Sequence, residues 1–369
     1  MVLRVFSIVV LVILAPLCLA DGHWSNWSDK TLCRVLKSEP EHVGYRAEAM
    51  GRGLECVAPS GGETAQATRL IDDLIATGKV TIMAASDVSE KTIKNTKKWM
   101  NVAANTWFTK QTPASKYYYP IVITIVGKST SAANVLDEQL CEELNKKSYS
   151  TRLCGRYLAG YASDGGAGIN SSRMNDKFHF MVLGTTRRTP SDDLGDTILH
   201  EAFHIYQLSQ ITTKRHDLFE IKYGRRSGDH NRDVPWWTEG TATYLSYLTY
   251  SRQPRIRQGY LKNMMRCELG DCEGRRAPRI DEYFELGTKL YNIDYGNNRM
   301  IAYRVGALFA AYLINDVGED KLFEYYEAVD ELGFETSFAT HFGQSYRDYI
   351  NQFEVFLKQP LSKVMKIIP

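Results

Sequence analysis

Apolar positions along this chain keep two rhythms. From Val80 to Leu183 they cluster into runs of strand length, Val80–Ala84, Ile121–Val126 and Phe178–Leu183. Between the first two, Glu90–Trp107 has helical spacing through Ile93, Met100, Ala103 and Trp107. Beyond Leu183 the apolar residues recur three and four apart over Thr197–Leu208, Trp237–Leu248, Met300–Ile314, Asp320–Asp330 and Tyr346–Leu357, and strand-like alternation disappears. Asp192 or Asp193 is placed to cap the first of these later helices. The pattern predicts an α+β protein, with a mixed strand and helix part over residues 76–211 leading into a helical part over residues 212–369. Residues 21–75, rich in Gly and Glu and carrying Cys33 and Cys56, read as a disulfide-tied N-terminal region.

The first residues have another character. Met1 to Arg4 is a short basic start, Val5 to Ala15 is apolar apart from Ser7, and Pro16 leads to Cys18-Leu19-Ala20. That layout predicts a secretory signal peptide over residues 1–20. The apolar run is shorter than the roughly 20 residues a spanning helix needs, and no later stretch reads as long and apolar enough to cross a bilayer. A secreted, extracellular protein without stable membrane insertion is expected. Cleavage removes Cys18 and leaves Cys33, Cys56, Cys141, Cys154, Cys267 and Cys272, an even number that implies three disulfides in an oxidising compartment. Neighbours in sequence suggest Cys33 with Cys56, Cys141 with Cys154 and Cys267 with Cys272, although other connectivities are open. The sequons at Asn26 and Asn170 fit a secreted glycoprotein.

Composition removes other possibilities. A formal charge of +2 with scattered Lys and Arg lacks the concentrated basic face that a nucleic-acid partner requires, and Arg252 to Arg257 and Arg275-Arg276 read as solvated loops. No long Pro, Ser or Gly tract marks a linker, and no internal repeat is present. Oligomeric state leaves no signal.

The chemistry is concentrated in Leu199-His200-Glu201-Ala202-Phe203-His204-Ile205, a His-Glu-x-x-His sequence on a predicted helix. Histidines at i and i+4 lie one turn apart on one face, so both imidazoles can reach a single metal ion. Glu201, beside the first of them, can reach a water held by that metal. Zinc lowers such a water's pKa to near 7, and a carboxylate then accepts its proton during attack on a carbonyl. A buried histidine pair satisfied only by hydrogen bonds is the plainer alternative, but it leaves two imidazoles and a carboxylate in an apolar turn with a large desolvation cost. The third ligand is expected at Glu239, in Trp236-Trp237-Thr238-Glu239-Gly240, where Gly240 permits close approach of another helix. A carboxylate that only complements the helix dipole is the other reading of Glu239.

His200-Glu201-x-x-His204 followed by Trp237-x-Glu239-Gly240 resembles the gluzincin clan of zinc metallopeptidases, which includes thermolysin-like and aminopeptidase N-like enzymes and related peptidase MA-like domains. The resemblance covers roughly residues 190–315. It implies a zincin-like fold, one zinc ion on His200, His204 and Glu239, Glu201 as general base, and a peptide or protein substrate. Ala302-Tyr303-Arg304-Val305-Gly306 resembles the Tyr-x-x-Gly helix of the aminopeptidase branch, which makes Tyr303 the candidate that stabilises the tetrahedral intermediate. The resemblance also implies that the Phe178–Leu183 strand edges the active-site cleft and receives an extended peptide. Departures narrow the expectation. The amine-binding Gly-x-Met-Glu-Asn signature is absent and Thr238 stands where aminopeptidases usually have Asn, so an endopeptidase is favoured. Gln207 and Gln210 occupy positions where a metzincin needs Gly and His. Asp217 as ligand and His230 as a second electrophile lack supporting context. An inactive binding protein and a hydrolase of a nonpeptide amide are the rival functions.

Overall fold

The computed structural model describes residues 27–38, 45, 48–49, 52, 54, 56, 70–109, 113–155, 158–171, 176–186, 193–213, 235–254, 256–272, 277–293, 296 and 298–369. The expected signal peptide, Asn26, Asp192, Asp217, His230 and Arg275-Arg276 lie outside the described residues, as does the side chain of Asn170.

In chain order the elements are α1 (Asp29–Ser38), α2 (Leu70–Ala76), β1 (Val80–Ala84), α3 (Glu90–Ala103), β2 (Ile121–Val126), α4 (Thr130–Lys146), α5 (Leu158–Asp164), β3 (Gly166–Ser171) and β4 (His179–Gly184). The rest is helical: α6 (Gly195–Ser209), α7 (Pro235–Ser251), α8 (Tyr260–Glu268), α9 (Pro278–Glu285), α10 (Arg299–Val317), α11 (Glu319–Leu332), α12 (Phe334–Phe342), α13 (Tyr346–Leu357) and α14 (Leu361–Val364). This is the expected α+β class, with one small sheet of order β1-β2-β4-β3.

β1, β2 and β4 run parallel, and β3 joins β4 antiparallel. The runs Ile121–Val126 and His179–Gly184 lack apolar alternation because both faces of the sheet are covered. Ile121, Ile123, Ile125, Met181 and Leu183 share one core with Trp99 of α3 and Phe203 of α6. Val122, Val126, Phe180 and Val182 pack with Leu136 and Leu140 of α4 and Leu158 of α5. α7 and α10 belong to the first of these cores, and the helical part joins one face of the sheet through α6, which packs against β3, β4 and α7.

Four expectations need correction. The Phe178–Leu183 strand is not an edge: β4 is paired on both sides, and the edge falls to β3, whose Gly-Ala-Gly start carries no strand-like pattern. Small residues are required where β3 and β4 meet, since a Cβ on Gly184 would stand 2.7 Å from the Tyr161 carbonyl oxygen. Glu90–Trp107 is not one regular helix; it widens into a π turn over Ala104–Phe108, which buries Trp107 and Phe108. Among the described residues one later helix is long and apolar enough to cross a membrane, Arg299–Val317, and 61% of that stretch is buried inside the protein. Cys33–Cys56 and Cys267–Cys272 are disulfides, whereas Cys141 and Cys154 are free thiols lying side by side, with the Cys141 thiol hydrogen-bonded to Cys154.

The N-terminal helix is tied down by charge. Arg34 of α1 pairs with Glu319 at 3.0 Å and with Asp320, both at the start of α11, and Ser28 also donates to Asp320. Arg252 meets Glu319 from the end of α7 at 2.9 Å. Both carboxylates also sit in the first turn of α11, where the helix dipole favours negative charge.

Candidate metal centre

α6 starts deep in the protein. A Cβ on Gly195 would lie 2.2 Å from Tyr250 and 2.5 Å from Trp99, so only glycine fits beneath those rings. Asp193 performs the expected capping, its Oδ1 accepting from the Gly195 N–H and the Tyr250 hydroxyl at 3.1 Å each, although the N-cap residue itself is Leu194 in the left-handed region. Nearly every side of α6 is covered, as its mostly apolar sequence requires.

Within this helix the one-turn spacing brings His200 and His204 together, with Nε2 atoms 3.1 Å apart. Glu239 of α7 completes the group: its Oε2 lies 3.2 Å from His200 Nε2 and 3.1 Å from His204 Nε2. The three residues predicted as ligands therefore converge and could hold a metal ion; suitable donor atoms all lie within 4.8 Å of one another. Burial would lower the His204 pKa, but the charge and hydrogen bond of Glu239, aided by Glu201 and Gln207, push it up to about 9. Against the opposing effect of burial, the two imidazoles hold Glu239 well below the usual carboxylate range. Positive charge beside Glu239 is therefore favoured in this pocket.

Glu239 reaches the histidines because α7 and α10 cross backbone to backbone. A Cβ on Gly240 would lie 2.5 Å from the Gly306 carbonyl carbon, and one on Gly306 would lie 2.3 Å from the Trp236 carbonyl oxygen. Tyr303 stands one turn before Gly306, so the same crossing delivers its phenol to Glu239, with which it is hydrogen-bonded. Burial, then the charge and hydrogen bond of Glu239, then Glu201, raise the Tyr303 pKa, so the phenol stays a proton donor at neutral pH.

Glu201 is 6% exposed, and its Oε2 has no hydrogen-bond partner among the described residues. Burial raises its pKa; the neighbouring histidines pull the other way, and Glu239 adds to the rise. A buried carboxylate oxygen left without a donor is costly unless a ligand supplies one. That orphaned atom and the two-nitrogen, one-oxygen donor set fit a small divalent metal with a water beside Glu201.

The pattern reading passed over the group that orients His204. His204 Nδ1 lies 2.7 Å from Gln207 Oε1, and Gln207 Nε2 lies 3.0 Å from the Thr238 carbonyl and 2.9 Å from both Thr241 Oγ1 and Tyr326 OH. A carbonyl can only accept, so the amide nitrogen must face Thr238 and the amide oxygen must face His204. Nδ1 then carries a proton, and Nε2 is the nitrogen turned toward Glu239 in the triad. Its i+3 spacing from His204 was the available signal; the partners on α7 and α11 had none.

A cleft of about 230 Å³ opens beside the triad, lined by Asp196, Thr197, His200 and Glu201 of α6, Thr243, Ser246 and Tyr247 of α7, Glu268 of α8, Met300 and Tyr303 of α10, and Ala167 of β3. The described backbone of β3 pairs only with β4, and Ala167 of β3 lines the cleft. No protein-family model matches this chain, and neither curated proteins nor solved structures yield a match.

Proposed function

We propose that this chain is a secreted zinc metallopeptidase of the gluzincin type, a zincin-like fold in which His200, His204 and Glu239 bind one zinc ion and Glu201 is the general base. The observation that carries the reading is the convergence of three separately predicted donors within 3.2 Å of one another, with Glu201 unpartnered beside them. Two imidazoles and a carboxylate with an open side suit zinc, which when bound acidifies a water and polarises a carbonyl.

The protein's own groups supply the remainder. Gln207 fixes the His204 tautomer, and Glu239 provides the negative charge that favours a cation among the ligands. Glu201 Oε2 takes a proton from the attacking water, and its raised pKa lets it keep that proton until the leaving amine needs it. Tyr303 offers a hydroxyl proton to negative charge developing on the scissile carbonyl oxygen. An extended peptide adds to the unpaired edge of β3, which places its backbone along the cleft floor and favours endopeptidase action.

Metal content of the secreted protein, measured together with cleavage of an unbiased peptide mixture, tests the reading. About one zinc per chain with cleavage is expected, with metal but no cleavage in Glu201→Gln and neither in His204→Ala. Stoichiometric zinc without cleavage of any peptide would move the assignment to hydrolysis of another amide, and folded wild type without zinc would sink it.

A further inference from the structure

The cleft contains more negative charge than this chemistry uses. Three of its described lining residues are carboxylates, Asp196, Glu201 and Glu268, and none is Lys or Arg. A dication in the triad balances Glu239 and Glu201. Glu268 accepts from the Tyr247 hydroxyl at 2.7 Å and has Arg304 Nε at 3.4 Å as counter-charge. Arg299, exposed, reaches Tyr303 electrostatically but does not line the cleft.

Asp196 is left over. Its Oδ1 accepts from the backbone N–H and the hydroxyl of Thr197, at 2.7 and 3.3 Å, while its Oδ2 makes no hydrogen bond or ion pair among the described residues. Asp196 precedes His200 by four residues on the same face, about 6 Å along the axis. Glu268 lies on the other side of the Tyr247 phenol, whose pKa is raised by burial, by Glu268 and by Asp196. An acidic first turn is ordinary helix chemistry, and by itself would explain the aspartate. Here, however, the same partly open cleft also receives the Oε2 of Glu201, which is buried and has no hydrogen-bond partner among the described residues, so the cleft has an open position for a ligand.

We propose that Asp196, with Glu268 across Tyr247, forms a subsite for a cationic group of the substrate, an ammonium or a guanidinium placed next to the bond that is cut. The proposal rests on the peptidase reading for its substrate, while the recognition it describes is a binding property. Two sources supply such a cation within one turn of the triad: a Lys or Arg side chain, or the free α-amine of a peptide. Asp196→Asn is a selective probe, because Asn keeps an oxygen for Thr197 and removes only the charge.

The test is calorimetric titration of the zinc-loaded protein with N-acetyl-arginine amide, its neutral counterpart N-acetyl-citrulline amide, and alanine amide against N-acetyl-alanine amide. Wild type, Asp196→Asn and Glu268→Gln are compared, with zinc content and thermal midpoint measured for each. Binding of the arginine ligand about tenfold or more tighter than citrulline, lost in Asp196→Asn at unchanged zinc content, is the expected result for a side-chain cation. The same dependence seen only with alanine amide identifies the cation as the α-amine. Equal binding within both pairs overturns the subsite, and peptide cleavage that shows no cation preference does so while leaving the peptidase reading intact. Cation-selective, Asp196-dependent binding by a protein that cuts no peptide keeps the subsite and overturns the peptidase reading instead.

Discussion

Under the proposed function, single residues at the triad carry separable duties, and substitution should separate them. Glu201→Gln keeps volume and removes the base, so zinc content should be retained while peptide hydrolysis falls by about 10²–10⁴-fold, as initial rates would report. Gln207→Leu removes the acceptor for His204 Nδ1 and leaves Thr238 O without its amide donor, so zinc affinity should fall roughly 10–100-fold in competition with a chelator. Both histidines, Glu201 and Glu239 were legible in the sequence because the i, i+4 spacing and the Trp-x-Glu-Gly segment are local patterns. Gln207 was not: its role depends on Thr238, Thr241 and Tyr326, which come from two other helices. Asp196 was missed for the same reason, since its significance lies in the Tyr247 and Glu268 it faces across the cleft.

Among the elements, the crossing of α7 on α10 decides whether a site exists. Gly306→Ala would force a methyl to within 2.3 Å of the Trp236 carbonyl oxygen, a backbone atom that cannot swing aside. The helices must separate, at a cost of about 1–3 kcal/mol, which a lowered denaturant midpoint would register. Zinc affinity should drop with it, because separation draws Glu239 from the histidines. Gly240 invited this reading in advance, whereas its partner Gly306 emerged only as part of a resemblance. The strands were legible where apolar runs were dense, as in Val80–Ala84 and Ile121–Val126, whose bounds the structure reproduces. β3 was illegible because a Gly-rich strand is held by its backbone ladder to β4 and by room for Tyr161, neither of which is written in side-chain hydrophobicity.

For the whole molecule, the buried ions joining α1, α7 and α11 should make stability depend on pH in the acid range. Burial raises the pKa of Glu319 and Asp320, but Arg252 and Arg34 outweigh it for Glu319, and Arg34 and Ser28 do so for Asp320, so both folded values are lowered. A lowered folded pKa contributes stability that is present above the unfolded value, near 4 for these groups, and is lost as pH falls through the folded one. Thermal midpoints should therefore hold above about pH 5 and fall steeply below pH 4. Glu319→Gln should lose about 3 kcal/mol at neutral pH, because it leaves two arginines short of their shared partner, and should flatten that acid slope in calorimetric scans. By itself the sequence determined the α+β class, the long apolar helices and the three donors that converge, because hydrophobic periodicity and residue spacing act within a few turns of chain. Only the tertiary structure decided that β3 is the edge, that α10 is a core helix, that Cys141 and Cys154 sit as neighbouring thiols, and that a carboxylate-lined cleft opens on the triad. Those outcomes depend on which surfaces meet across hundreds of residues, and close packing, not local propensity, selects them.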